Sequence, residues 1–221
     1  MEILYEDNNL IVCYKPAGVP TQTMSVAQQD METMLLNYLK KQDSKAQIHI
    51  IHRLDQPVEG VMVFAKDAKS AADLSGQVTG HTFKKKYYAI VTGEGLQEDG
   101  ILEDLLVKDT RTNLSRVTKT KDKNAKQARL AYRIIDRWED KKLLDIELFT
   151  GRHHQIRVQL SSRKSPILGD TKYGGQATGR SLALCSHYIG FSHPVTGEFM
   201  EFDIKPQGVD FMESPAFAKG E

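Results

Sequence analysis

Short β-rich runs, each closed by a turn signal, recur along the whole chain and leave little room for a helical bundle. "ILYED" and "LIVCYK" flank a "DNN" turn. "QARLAYRIIDRW" and "KKLLDIELFTG" flank "EDK", and "SLALCSHYIGFSHP" and "GEFMEFDIKP" flank "PVTG". "VMVFAKD", "KKYYAIVTG" and "ILEDLLVKD" also read as strands. Three segments switch to helical period. In "QQDMETMLLNYLKKQD" the apolar positions Met31, Met34, Leu35, Tyr38 and Leu39 fall on one face. "AKSAADLSGQV" and "RHHQIRVQLSSR" are the other two. "TRTNLSRVTKTKDKNAK" reads as a polar loop or hairpin, and the tail from Gln207 as loosely packed. Neither a repeat nor a linker divides the chain. The pattern predicts one α+β domain over residues 1–221, on a mostly antiparallel mixed sheet.

Several function classes drop out early. The two cysteines, Cys13 and Cys185, are too few for a disulfide framework and point to a reducing, cytoplasmic setting. No CxxC is present, so a thiolate zinc site is not expected. The start "MEILYEDNNLIVCYKPAG" lacks the basic-then-apolar order of a signal peptide, and no apolar run approaches the ~20 residues of a membrane span. Net charge is only +1, but the positive residues cluster. Lys84, Lys85 and Lys86 form one run, and Arg116, Lys119, Lys121, Lys123, Lys126 and Arg129 form another against Asp122 alone. Each is either a solvated loop or a phosphate-binding stripe, which needs only one positive face.

Three constellations could carry chemistry. In "TGRHHQIRVQL" a strand ends, Gly151 permits a turn and a helix begins, so Arg152, His153, His154 and Arg157 gather where an anion is welcome. The blander reading is a basic helix start. A metal site at His153–His154 is disfavoured, because neighbouring helical residues diverge by ~100°. In "IHRLDQPVEG" a charged turn separates two strands, and Asp55 is either a turn residue or a working carboxylate. In "KKYYAIVTG" alternation sends Tyr87 and Tyr88 to opposite faces. An aromatic beside lysines suits a base near a phosphate backbone, although two ordinary β-formers would look the same.

Taken together and in order, these segments resemble the RNA pseudouridine synthases of the RluA type. "HRLDQPVEG" looks like the family's HRLDxxTSG motif, and "KKYYAIVTG" is similar to its K-x-Y-x-A-x-V-x-G strand. "FTGRHHQIRVQL" looks like T-G-R-x-H-Q-I-R, "GDTKYGG" like G-D-x-x-Y-G, and "LCSHYIGFSHPVTGE" like the closing segment; "ILYEDNNLIVCYKPAGVPTQ" looks like the opening one. The resemblance implies a pseudouridine-synthase-like domain with a central RNA-binding cleft. It implies RNA as partner, a stem-loop of ribosomal or transfer RNA, with no membrane, cofactor or metal, and monomer as the default. It places Asp55 at the catalytic aspartate, Tyr87 at the tyrosine that stacks on the target base, and Arg157 at the arginine that pairs with the aspartate. Arg53 falls at the arginine that fills the gap left by a flipped uridine. Ile156, Arg152, His154, Gln155 and Lys85 complete the expected substrate contacts. Two departures stand out: Val58-Glu59 replaces the motif's Thr-Ser, and Cys185 replaces a histidine.

The residues suit that chemistry. Pseudouridine formation breaks the N1–C1′ bond, turns the base and joins C5 to C1′. One carboxylate attacks C1′ or removes a sugar proton, and Arg157 would hold that carboxylate charged and oriented. Retaining glycosidases need two carboxylates because water is activated; here water must stay out, so one suffices. Glu59 would share a face with Asp55 only in a helical turn, which Pro57 disfavours at Gln56. Glu59 is therefore expected to be structural or to meet Arg53 or solvent. The competing readings are a non-catalytic RNA binder on the same scaffold and a nucleosidase-like hydrolase using Asp55 and Glu59.

Overall fold

The computed structural model describes residues 2–25, 28–119 and 122–218; Lys121 of the second basic run lies outside them. The chain folds into two compact units. The first comprises Met1–Lys84 and Ser186–Ile204, the second Lys85–Cys185 and Lys205–Glu221.

The first unit is built on β1 (Glu2–Glu6), β2 (Leu10–Lys15), β3 (His49–Ile50), β4 (Glu59–Ala65), β10 (Leu184–Ser192) and β11 (Phe199–Asp203), with helices α1 (Met31–Lys40) and α2 (Ala68–Thr79). Its strands run in the order β1-β2-β4-β10, with β3 on β4 and β11 on β10. β2 and β4 are buried at every position, which explains their unbroken apolar runs. Leu10, Val12, Val61, Val63, Leu74, Phe83 and Phe191 form the core between sheet and α2. Asp30 caps α1, accepting from Thr33 N at 2.8 Å. Of the helix face read from periodicity, Met31, Leu35 and Leu39 are buried, while Met34 and Tyr38 are half-exposed.

The second unit carries β5 (Lys84–Thr92), β6 (Asp99–Asp109), β7 (Leu114–Thr118), β8 (Lys126–Trp138) and β9 (Lys141–Leu148), then α3 (Gln155–Ser162) and two short terminal helices, α4 (Val209–Met212) and α5 (Pro215–Ala218). The order is β5-β9-β8-β6-β7, with antiparallel pairing at each step. Along β8, Ala128, Leu130, Tyr132 and Ile134 alternate inward, the period-2 signature of a half-buried strand. The polar segment after β6 proves to be a hairpin whose second arm is β7. α3 begins at Gln155, so Arg152, His153 and His154 belong to the entering loop.

The tail corrects the sequence expectation. Phe211 is buried, Phe217 packs edge-on against Tyr88 at 5.2 Å, and Ser214 Oγ donates to Asp136 at 2.7 Å. Aromatic anchors spaced six residues apart hold it, and window composition does not register them. Among the described residues, no helix is long and apolar enough to cross a membrane.

Candidate active site

Asp55 sits half-buried in the first unit, in a turn closed by Val58 N donating to Asp55 O at 3.0 Å. Glu59 then opens β4. The two carboxylates therefore do not share a helical face, in line with Pro57 at the turn. Backbone contacts lock this turn against residues 15–21. Thr21 Oγ1 donates to Leu54 O at 3.0 Å and accepts from Leu54 N at 3.2 Å. Gly18 N donates to Gln56 O at 2.8 Å, and Gln56 Nε2 returns a bond to Gly18 O at 3.1 Å. His52 accepts from Val63 N at 3.3 Å and lies against the Phe83 ring, fixing the start of the turn. Arg53 projects to solvent between buried Leu54 and His52.

Lys15, which carried no assignment in the sequence, holds this arrangement from beneath. It is fully buried, and its Nζ donates to Pro16 O at 2.9 Å, Val19 O at 2.6 Å and Gln56 O at 3.2 Å. Burial pulls its pKa down to about 8, against the opposing pull of Asp55 and Glu59. The signal for it lay in the quoted opening segment: a lysine that ends a strand just before Pro-x-Gly. Glu59 is also buried and accepts the Tyr14 hydroxyl. Where the family motif has serine, this chain has a carboxylate matched by a tyrosine, which makes Glu59 a structural member. Gly60 at the end of the motif has φ +133°, and a Cβ there would lie 2.6 Å from Ser186 N. Only glycine lets β4 approach β10 this closely.

The second unit holds Tyr87, Arg157 and the loop before α3. Tyr87 lies on β5 opposite Ile146 and is 6% exposed. Tyr88, on the other face, packs on Phe217. Arg157 is buried on α3, and its guanidinium makes a two-pronged pair with Asp170, Nε to Oδ2 and Nη2 to Oδ1 both at 2.7 Å. Its face lies 5.1 Å from the Tyr173 ring centroid. A buried, doubly hydrogen-bonded pair does more to orient than to stabilise, since desolvation consumes most of the attraction. Asp170 and Tyr173 went unassigned in the sequence, although "GDTKYGG" contains both.

The remaining expected contacts separate by exposure. Ile156 and Gln155 are buried. Gln155 Oε1 accepts from Thr150 Oγ1 at 2.7 Å and Arg152 N at 3.1 Å, and its Nε2 donates to Arg129 O at 3.1 Å. This amide holds together the loop that enters α3. His154 is buried in the left-handed region (φ 53°), with Nδ1 2.9 Å from the Tyr173 hydroxyl. Its ring stacks on His153 at 3.8 Å, and His153 Nδ1 lies 2.9 Å from Ser115 Oγ. A non-glycine residue held at positive φ marks a backbone that its surroundings over-determine. Arg152 is exposed, its Nε donating to Gln127 O at 2.9 Å. The three lysines of the first basic run diverge. Lys84 is exposed over the Phe199 ring, Lys86 sits opposite Glu147, and Lys85 is half-buried. No group of histidine, cysteine or acidic side chains among the described residues could hold a metal ion.

Antiparallel strands and few helices define an α+β fold. Solved structures share it. A human RNA pseudouridylate synthase domain protein, Domain Containing 4, superposes with a TM-score of 0.78 over 93% of this chain and 89% of its own, at 24% identity. The human Domain Containing 1 protein gives 0.74 over 93% and 83%, at 18% identity. The chain belongs to the RNA pseudouridylate synthase family, whose sequence pattern matches residues 9–162. It is similar to the RNA pseudouridine synthase YlyB of Bacillus subtilis, at 31% identity over 92% of this chain and 68% of the relative. A relative named ribosomal large subunit pseudouridine synthase D, from Zymomonas mobilis, is 30% identical over 96% of this chain and 71% of its own length. The protein is accordingly an RNA pseudouridine synthase, an isomerase of uridine in RNA.

Proposed function

We propose that the chain converts a uridine of structured ribosomal or transfer RNA to pseudouridine with Asp55 as the nucleophile. The observation that carries this reading is the Asp55 turn. A half-buried carboxylate is presented on backbone fastened at Leu54 and Gln56 by Thr21, Gly18 and Lys15. Such fixation is what a positioned nucleophile needs, because misplacement by an ångström costs rate steeply. In this reading the target nucleotide flips out and Arg53 occupies its place in the stack. Asp55 bonds to C1′ as the N1–C1′ pair leaves with uracil. The uracil turns, C5 bonds to C1′ and the carboxylate is released. The proton left on C5 moves to N1, with Tyr87 stacking on the ring and assisting its removal. Arg157 is held in place by Asp170 and Tyr173. Tyr87 is so well covered that RNA binding must uncover its ring.

A ribosomal target is supported by the name of the Zymomonas mobilis relative. A stem-loop substrate, a monomeric protein and a cytoplasmic location belong to the same proposal. The buried state of Glu59 removes support from a two-carboxylate hydrolase. The test is RNA carrying tritium at uridine C5: the wild type releases tritium to water and leaves pseudouridine in the chain. Asp55→Asn should lose at least about 10³-fold in rate while still binding RNA. Full activity in that variant would sink the assignment, and free uracil would move it to hydrolysis.

A further inference from the structure

The second unit holds a lysine whose situation the fold does not explain. Lys142, buried on β9, donates to Gly93 O at 2.6 Å and Glu94 Oε2 at 2.7 Å. Lys15 of the first unit has three carbonyl acceptors. Lys85 is half-buried, and no hydrogen bond or ion pair holds its ammonium among the described residues. Burial alone lowers its pKa, with no carboxylate offsetting it. A half-buried ammonium with no carboxylate beside it is open to an anionic ligand.

Its surroundings indicate which ligand. A methyl group built on Gly151 would meet Lys85 Nζ at 3.5 Å and nothing else within 4 Å, so the ammonium faces open space beside a bare glycine. Gly151 is exposed, and its backbone N–H has no protein acceptor among the described residues. A cation and an open amide side by side make an anion site. Lys85 and Tyr87 alternate on β5 and so share a face, about 6.6 Å apart along the strand. That is the reach from a nucleobase to the phosphate of its own nucleotide.

We propose that Lys85 and the open side of Gly151 form a phosphate subsite for the nucleotide whose base stacks on Tyr87. This rests on the reading of Tyr87 as the base platform and deepens it. The subsite fixes the backbone on one side of the flipped uridine, so that rotation of the freed base does not carry the strand with it. It also divides the first basic run by role, with Lys85 binding the target nucleotide while Lys84 lies over the Phe199 ring and Lys86 opposite Glu147.

The test uses a fluorescein-labelled 12-nucleotide oligouridylate, bound to the full chain over a range of salt concentrations. Lys85→Met should weaken binding about tenfold and reduce the slope of log affinity against log salt by about 0.7, the value of one phosphate contact on a single strand. Lys85→Arg should restore the slope. Gly151→Ala should keep the wild-type melting temperature and weaken binding, because its methyl group enters the niche. Replacing individual linkages by methylphosphonate should find one position that costs the wild type and costs Lys85→Met nothing. An unchanged slope in Lys85→Met overturns the subsite, whether or not affinity falls, because a merely structural lysine would weaken binding without losing a phosphate contact. The tritium assay is read separately. Absence of release by the wild type defeats the isomerisation proposal, while the slope alone decides the subsite.

Discussion

The Asp55 turn and the Lys85 niche use the same two residue types to opposite ends. In the first unit, Lys15 is saturated by three carbonyls and Gly60 is pressed against the Ser186 backbone. In the second, Lys85 lacks any acceptor among the described residues and Gly151 borders open space. Full satisfaction marks groups that hold the protein together. A half-buried cation without a partner marks a place open to something else. The lesson is that neither a lysine in a basic run nor a glycine in a motif has a role until its neighbours are known.

Four substitutions would break or sharpen this contrast. Gly60→Ala should have the largest effect. Its Cβ would collide with backbone that cannot rotate away, at a φ that alanine avoids. A loss of about 4 kcal/mol or more, or failure to fold, is expected in chemical denaturation. A soluble, fully stable variant would show that the β4–β10 approach is looser than described.

Lys15→Met comes next, at about 2–3 kcal/mol, because three carbonyls lose their donor. This loss should depend on pH. With a folded pKa of about 8 against an ordinary 10.5, the unfolded chain holds more protons between those values, so the wild type gains stability as pH rises through that window. The gap between wild type and variant should therefore widen from about pH 8 to 10.5. A constant gap in melts across that range would contradict the burial-driven shift.

Gly151→Ala should change stability by no more than about 0.5 kcal/mol, since the added methyl meets only ordinary van der Waals contact. Lys85→Met should be opposite in sign to Lys15→Met. Removing a half-buried, unpaired charge should leave stability equal or raise it slightly, within about 0.5 kcal/mol. Strong destabilisation by Lys85→Met would put Lys85 in the same class as Lys15 and erase the contrast.

Much of the architecture was legible along the chain, because strand alternation, turn residues and helix period are local properties. β8 alternates as written, and the turn at Asp55 follows from Pro57. α3 shows the limit. Its apolar period read back into Arg152–His154, but Gln155 folds its amide over the loop and His154 adopts a left-handed backbone, so the helix starts late. The tail shows another. Phe211 and Phe217 are sparse in a polar stretch, and only the fold brings Tyr88 to meet Phe217.

The sequence by itself determined the order of strands and helices, the motifs that carry Asp55, Tyr87 and Arg157, and the family to which they belong. Each of these is encoded within a few residues. The tertiary structure alone decided that Glu59 is buried against Tyr14, 45 positions away, that Arg157 is aimed by Asp170, 13 positions on, and which of three adjacent lysines comes to lie beside Gly151. Burial and pairing are set by neighbours distant in sequence, so identical lysines in one short run end in different environments, and the environment assigns the role.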